Sequence, residues 1–303
     1  MLTARALASI LLVPLALSAC DVEFRTQEVL LRHDPTTDTA ELFLIHGDLV
    51  SDRPSRGADA VERLLAGERE FVVASWPLHF RVDAWEEDVR RVVADPDSAG
   101  TERRLATGAL AVLERITLVE SGLFLDAEGR PGGWQRFRLR DASAAVARLN
   151  EMISWAVLAA VAAGDLAPDD DLDARTISLW TGHAEAGRTW FALHGGRLVV
   201  DVPLSKRAAA RALSELVAGL ARERDDVFAR LLSAILADVE ALEIARERLH
   251  VELRPADESG TFSWSIENPE IVPSDALLTE LRSRGVEIRE DVTPETLRRK
   301  LRR

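Results

Sequence analysis

Residues 116–163 carry the pattern that decides the fold class, and they read ITLVESGLFLDAEGRPGGWQRFRLRDASAAVARLNEMISWAVLAAVAA. We expect an antiparallel hairpin of two strands, Ile116–Asp126 and Trp134–Arg140, around the turn Ala127–Gly133. In the second strand, apolar residues alternate with arginines, which is typical of a strand with one buried and one solvated face. The first part of this stretch therefore predicts an antiparallel sheet.

A helix is predicted directly after this hairpin. Asp141–Ala163 repeats apolar residues at helical spacing, with Asp141 placed to cap its start and Gly164 to end it. Hairpins and helices are mixed along the chain without strand–helix–strand alternation, so we predict an α+β fold of antiparallel hairpins and a meander packed with several helices. Further strands are expected at Val22–Leu31, Ala40–His46, Glu70–Val82, Thr176–Thr181, Thr189–His194, Arg197–Val202, Leu249–Leu253, Phe262–Ile266 and Val286–Arg289, and further helices at Ala58–Ala66, Ala84–Ala94, from Ser205, over Phe228–Val239, and at Ser274–Ser283 and Pro294–Arg303.

Three more expectations concern how these elements connect. Gly47–Gly57 is polar and is predicted to be a loop. The strands Leu249–Leu253 and Phe262–Ile266 surround a turn and predict a second hairpin. Ala167–Asp173 is rich in Pro and Asp and predicts a joint, which divides the mature chain into α+β halves at 20–165 and 170–303. One continuous domain over 20–303 is the alternative.

The composition excludes several classes of protein. The chain has 303 residues with 38 Lys and Arg against 51 Asp and Glu, a formal net charge of −13. Because the phosphates of nucleic acids are bound by basic surfaces, no nucleic-acid partner is expected. A single cysteine permits neither an intrachain disulfide nor a zinc site built from cysteines.

The first 20 residues, MLTARALASILLVPLALSAC, have the arrangement of a signal peptide. Arg5 and the N-terminal amine form a short positive region, and the 14 residues Ala6–Ala19 are mostly apolar. This stretch is shorter than the ~20 residues that a membrane-spanning helix needs. Pro14 also argues against a buried first helix, because it would remove a backbone hydrogen bond. We therefore predict a signal peptide over residues 1–19.

The end of this segment resembles the lipobox of bacterial lipoproteins. Leu17, Ser18, Ala19 and Cys20 supply an aliphatic residue, two small residues and the chain's one cysteine. The resemblance implies that Cys20 receives a diacylglyceryl group, that signal peptidase II cleaves before it, and that a fatty acid such as palmitate then acylates the new amine. It also implies attachment to a membrane of the bacterial cell envelope. Asp21 resembles an inner-membrane retention signal, so the inner membrane is favoured over the outer.

The residues that could carry chemistry are sparse. No nucleophile elbow, phosphate loop or zinc-protease motif is present, so no catalytic residue and no cofactor is predicted. The candidate metal ligands are His46, His183 and His194, which lie at or near predicted strand ends; isolated histidines held by hydrogen bonds are the alternative. Trp134 is expected to be exposed, because it lies beside a predicted turn.

We therefore predict a lipid-anchored bacterial envelope protein that is a non-catalytic binding or interaction module. Its expected partners are membrane lipid, through the Cys20 anchor, and a protein or small molecule that the sequence does not identify. One alternative is an envelope hydrolase with a metal or carboxylate site, which convergence of His46, His183 and His194 would favour. The other is a carrier of small apolar ligands, which an apolar pocket between sheet and helices would favour.

The C-terminus has a basic tail, Arg298–Arg303, on an otherwise acidic chain. Cations at the end of a helix complement its dipole, at ~0.3–1 kcal/mol each, and we expect this role. Contact with anionic lipid headgroups is the alternative.

Overall fold

A computed structural model gives the structure of residues 21–73, 79–168, 172–194, 196–211, 214, 227–245, 247–255 and 260–301. The lipobox residues Leu17, Ser18, Ala19 and Cys20 lie outside these described residues. The predicted α+β class is confirmed, with antiparallel sheets and helices mixed along the chain.

The centre of the molecule is a five-stranded antiparallel sheet. Its strands run in the order β11-β1-β2-β6-β5. Their bounds are β1 Glu23–Asp34, β2 Thr39–Val50, β5 Ile116–Leu125, β6 Pro131–Leu139 and β11 Thr261–Glu267. The strands β5 and β6 form the hairpin predicted from residues 116–163.

Two smaller sheets accompany it. A four-stranded sheet has the order β7-β8-β10-β9, and a two-stranded hairpin joins β3 to β4. The bounds are β3 Glu70–Val72, β4 His79–Arg81, β7 Phe191–His194, β8 Arg197–Pro203, β9 Val239–Ala245 and β10 Arg248–Leu253.

Helices pack on the five-stranded and the four-stranded sheets. Those bounded within the described residues are α1 Pro54–Leu65, α2 Val82–Ala94, α3 Gly100–Leu113, α4 Ala142–Ala163, α5 Ala174–Glu185, α6 Val227–Ala237, α7 Ala276–Ser283 and α8 Pro294–Leu301. The helices α2 to α5 pack in sequence, each on the next. In the part of the chain described, α4 alone is long and apolar enough, by length and composition, to cross a membrane. It packs between α3 and α5.

Side chains on neighbouring strand positions point to opposite faces, and both faces of the five-stranded sheet are covered. One face, which we name the cavity face, packs its buried residues against α6 and against β8, β9 and β10 of the four-stranded sheet; these include Val29, Leu44, Phe137 and Trp264. The other, the α8 face, packs against Val292 and Leu297; its buried residues include Leu30, Phe43, Ile45 and Phe124. The strands β1, β2, β5 and β6 therefore contribute to both apolar cores, whereas β11 contributes to the core on the cavity face.

Two predicted connections are wrong. The strands near Leu249–Leu253 and Phe262–Ile266 do not form a hairpin, because β10 pairs with β8 and β9 whereas β11 pairs with β1. The strand β9 directly precedes β10 and takes the place beside it. Gly47–Gly57 is not a loop, since β2 continues to Val50 and α1 begins at Pro54. Asp48 has a φ of 55°, which bends the end of the strand.

The predicted strand Thr176–Thr181 is also wrong, because these residues lie in α5. Asp173 occupies the N-cap position, and its carboxylate accepts a hydrogen bond from the backbone N–H of Thr176 at 2.7 Å. A capping hydrogen bond of this kind stabilises a helix start by ~1 kcal/mol, which is enough to outweigh the strand preference of its β-branched residues.

The chain crosses the boundary that was predicted at residues 165–170. The strand β11 completes the sheet begun by β1, and α7 packs on α1. Leu277 and Leu281 of α7 are fully buried with Leu49 and Leu123 of the five-stranded sheet. β11 and α7 therefore belong to the same structural unit as β1, β2 and α1.

Candidate functional site

A cavity of about 370 Å³ opens at the end of the five-stranded sheet where β1 and β6 begin. It lies on the cavity face, between the sheet, α1 and the β3–β4 hairpin. Its volume falls within the ~300–1,000 Å³ of small-molecule sites. Most of its wall is apolar, including Phe24, Leu49, Val61, Leu65, Phe71 and Leu123.

Two glycines shape this end of the sheet, Gly133 on the cavity face and Gly122 on the α8 face. Gly133 on β6 lies beside His46 and Leu123 in the strand register. A Cβ at Gly133 would approach the Cδ1 of Leu49 at 3.4 Å, an ordinary contact, so the backbone tolerates a side chain there. At Gly122 a Cβ would lie 2.2 Å from Cη2 of Trp134, which shows that the indole rests directly on the β5 backbone. Glycine at 133 keeps the space open, and glycine at 122 seats Trp134.

On the inner wall lies His46, which is hydrogen-bonded to Gln27 of β1. The Gln27 amide nitrogen donates to the carbonyl oxygen of Val72 at 2.7 Å, which fixes the orientation of the amide. The same nitrogen donates to Nδ1 of His46 at 3.2 Å. Because Nδ1 accepts this hydrogen bond, the neutral ring carries its proton on Nε2. The ring also packs on Phe24, with centroids 4.8 Å apart.

Burial keeps His46 uncharged. The side chain is almost fully enclosed, and this desolvation lowers the pKa of His46 from 6.5 to about 4. A charged imidazole in such a place would need a close anion, since burial of an unpaired charge is costly. At neutral pH the inner wall therefore offers hydrogen-bonding groups without net charge.

A second polar group ties the β3–β4 hairpin to the sheet. The Gln135 amide donates to the backbone carbonyl of Glu70 at 2.7 Å. The carboxylate of Glu70 and Nε2 of His79 are 2.5 Å apart across the hairpin. Burial acts to raise the pKa of Glu70, but the hydrogen bond and charge of His79 outweigh it and the pKa is lowered. The pair gives this wall an anionic carboxylate that is already matched by a hydrogen-bond donor.

Ser121 also lines the cavity, together with His79 and Glu70. A serine nucleophile needs its hydroxyl directed to a base. The Ser121 hydroxyl instead donates to the backbone carbonyl of Leu64 at 3.0 Å, so it joins β5 to the end of α1. This geometry does not support a serine hydrolase.

The outer part of the cavity wall is charged. Arg63 and Arg81 are exposed, and Asp21 and Glu68 are partly exposed. Asp21 is the residue that follows Cys20 in the sequence. The apolar interior is thus bordered by groups of both signs, close to the start of the described chain.

The three candidate metal ligands lie in different elements. His46 is on β2 in the cavity wall. His183 is on α5, where its Nε2 donates to the backbone carbonyl of Thr189 at 3.1 Å and its ring packs on Trp190. His194 is exposed at the end of β7. Within the described residues, no group of three or more His, Cys, Asp or Glu side chains could hold a metal ion.

The sequence analysis missed most of the cavity. It did not single out Gln27, Gln135, Glu70 or His79, and the expected exposure of Trp134 is wrong because this side chain is 5% exposed. One available signal was the polar residue at an inward position of an apolar strand, as at Gln27 and His46. Comparisons with known protein families, with curated proteins and with solved structures find no match.

Proposed function

We propose that this chain is a lipid-anchored bacterial envelope protein that binds a small, mostly apolar molecule in the cavity between the sheet, α1 and the β3–β4 hairpin. The observation that carries the proposal is an apolar cavity of about 370 Å³ with His46 and Gln135 on its wall. Burial of apolar ligand surface stabilises a complex by ~25 cal/mol per Å², before the costs of association. The protein is a carrier or a sensor of such a molecule and performs no catalysis on it.

The wall also defines the polar end of the ligand. Neutral His46 presents Nε2–H as a donor, and the Gln135 oxygen is an acceptor because its nitrogen is bound to the Glu70 carbonyl. A neutral hydroxyl, ester or amide group suits these partners. A carboxylate suits them less well, because Glu70 lines the same cavity in its ionised form.

The proposed anchor supplies a source for such a ligand. The lipobox resemblance puts acyl chains on Cys20, and stable attachment follows from two or three chains at ~0.8 kcal/mol per buried CH₂. Because Asp21 lines the cavity, the outer end of the cavity lies one residue from the attachment point. An apolar molecule dissolved in the membrane surface would then have a short path into the protein.

Binding of the neutral fluorophore N-phenyl-1-naphthylamine tests this function. We expect the purified protein to bind the probe with a saturable rise in fluorescence. Gly133→Ala should weaken binding and Gly133→Val should weaken it by at least tenfold, because each side chain occupies the cavity while remaining compatible with a strand.

The matched control is Gly182→Val. Gly182 lies on the exposed side of α5 and a Cβ there meets nothing within 4 Å. Its binding should equal that of the unaltered protein. If Gly133→Val melts like the unaltered protein and still binds the probe with unchanged affinity, the cavity is not the binding site and the proposal is wrong.

A further inference from the structure

A second depression, of about 320 Å³, lies at the opposite end of the five-stranded sheet, on the α8 face. Unlike the first, it is lined by charged and hydroxyl-bearing side chains. Four are basic, two are acidic and two are threonines: Arg32, Arg136, Arg138 and Lys300; Asp34 and Glu41; Thr37 and Thr39. It shares no lining residue with the cavity.

Strand register concentrates the positive charge. Arg32 of β1 and Arg138 of β6 lie on either side of Glu41 of β2, in one row across three strands. Arg136, two positions along β6, also reaches Glu41, with Nη2 2.8 Å from Oε2. Arg138 donates to Oε1 from Nη2 at 2.7 Å. One carboxylate is thus shared by two guanidinium groups with a third beside it in the register.

The two other carboxylates nearest to this row have partners of their own. Asp34 accepts hydrogen bonds from the Thr36 backbone N–H at 2.9 Å and the Thr37 hydroxyl at 2.8 Å, so it stabilises its own turn. Glu120 pairs with Lys300 and lies 3.4 Å from Arg136. Four basic and two acidic side chains line the depression, on a chain whose net charge is −13.

One hydrogen-bond donor of a residue that lines this depression has no partner among the described residues. The Nε of Arg136 is buried and has no hydrogen-bond partner among the residues that the structure describes. A buried donor without a partner is destabilising, so a ligand or an ordered water that accepts from it is favoured.

From this arrangement we infer that the depression is an anion site that binds a phosphate group. Guanidinium groups match the oxygens of a phosphate with paired donors, and a lysine ammonium and threonine hydroxyls complete the usual set for a phosphoryl oxyanion. Glu41 holds the two arginines in place and competes with the ligand for them. The burial of Glu41 acts to raise its pKa, but the two guanidiniums outweigh this effect and keep the pKa low.

The position of the depression relative to the proposed anchor favours a soluble phosphate-bearing molecule over a lipid headgroup. Between Asp21 and Arg32 the chain advances along β1 at ~3.3 Å per residue, which separates the two ends of the sheet by roughly 35 Å. An anchor at Cys20 holds the cavity end at the membrane and keeps the charged end away from it. A phosphate-bearing molecule in solution is therefore the ligand, rather than a lipid headgroup. The phosphate site itself does not depend on the anchor.

Calorimetric titration of the purified full-length protein with inorganic phosphate, at constant ionic strength, tests the site. We expect saturable binding that Arg138→Gln weakens by about tenfold or more, which corresponds to the loss of a charge-assisted contact. Glu41→Gln should bind phosphate more tightly, because it removes the competing carboxylate. The matched control, Arg91→Gln, removes an exposed arginine that pairs with Asp88 on α2, and it should leave binding unchanged.

Two results would overturn the site. One is the absence of saturable binding to the unaltered protein, and the other is equal affinity in the Arg138→Gln and Arg91→Gln variants. If Glu41→Gln melts normally and binds phosphate more weakly, the charges form only a structural network and the inference also fails. Vesicles distinguish a soluble ligand from a lipid headgroup. If phosphatidylglycerol vesicles compete with phosphate more strongly than phosphatidylcholine vesicles do, the inference of a soluble ligand is wrong. Equal competition by the two kinds of vesicle supports it.

Discussion

The two ends of the five-stranded sheet differ in chemistry although the same strands build both. On β2, His46 faces an apolar cavity near one end, whereas Glu41 faces a cluster of arginines near the other. The strand places them on opposite faces because they are an odd number of residues apart. At the first end, the inner wall combines apolar side chains with the neutral polar groups of His46 and Gln135. At the second, basic and acidic side chains line the depression. One sheet can therefore carry two sites without sharing a residue between them.

The largest effect is expected from the loss of the proposed lipid anchor, which determines which end of the sheet lies at the membrane. Cys20→Ser should abolish incorporation of a fatty-acid analogue and leave an uncleaved precursor, because no thiol remains to be modified. Ser18→Ala is the matched control, since it keeps a small residue at the same motif and should be labelled normally. If Cys20→Ser and the unaltered protein are labelled equally, Cys20 is not the lipid anchor. The proposed orientation of the two ends relative to the membrane would then be wrong as well.

Leu297→Ala should weaken the packing on the α8 face of the sheet. Leu297 of α8 is 3% exposed and packs with Phe43, Ile45 and Val292. The loss of such a side chain lowers the free energy of unfolding by about 2–5 kcal/mol. Urea denaturation would measure this loss. N-phenyl-1-naphthylamine binding on the cavity face should stay unchanged while the variant is folded, and its loss in a folded variant would show that the two faces are coupled.

The cavity end should be sensitive to acid through His46. The pKa of His46 is about 4 in the folded protein against an ordinary 6.5, so between these values the unfolded chain binds a proton that the folded chain does not. Stability should therefore fall as the pH decreases from 6.5 to 4, by about 3 kcal/mol from this group, and show no contribution from it above 6.5. His46→Gln lacks this titration, so its unfolding free energy should depend less on pH in that window. Parallel pH curves for the two proteins would contradict the assignment.

The smallest effect is expected from an exposed ion pair on α8. Arg298 lies 2.7 Å from Glu28 of β1 and is nearly half exposed. Exposed pairs of this kind contribute ~0.2–1 kcal/mol, and salt reduces the contribution further. Arg298→Gln should lower the unfolding free energy by less than about 1 kcal/mol, with a smaller difference at high salt. A larger loss would mean that the tail stabilises the sheet through more than its surface charges.

Local patterns in the sequence were enough to predict the fold class. The hairpin of β5 and β6 and the helix α4 are short-range elements, and they lie close to where alternation, turn residues and caps predicted them. The predicted turn Ala127–Gly133 was too long, because Asp126 accepts hydrogen bonds from the backbone of Glu128 and Arg130 and closes a tighter turn. Features of this kind involve residues that are close in sequence.

The cavity was not predictable in the same way, because distant residues build it. Gln27 reaches Val72 and Gln135 reaches Glu70, contacts between residues 45 and 65 positions apart. Trp134 is buried because Gly122, on the neighbouring strand, leaves space for its ring. In the sequence, nothing distinguishes Gly122 or Gly133 from the glycines of ordinary turns. The charged depression was partly visible, since the alternating arginines of β6 indicated a solvated face, but the row formed with Glu41 and Arg32 required the strand register.

The central claim is that an apolar ligand meets His46 inside the cavity, and nitrogen-15 NMR of the His46 ring tests it most directly. At neutral pH the free protein should show a neutral ring protonated at Nε2, as the hydrogen bond from Gln27 to Nδ1 requires. Addition of N-phenyl-1-naphthylamine should shift the His46 signals and leave those of His194, exposed at the end of β7, in place. A bound probe that leaves the His46 signals unchanged would contradict the account.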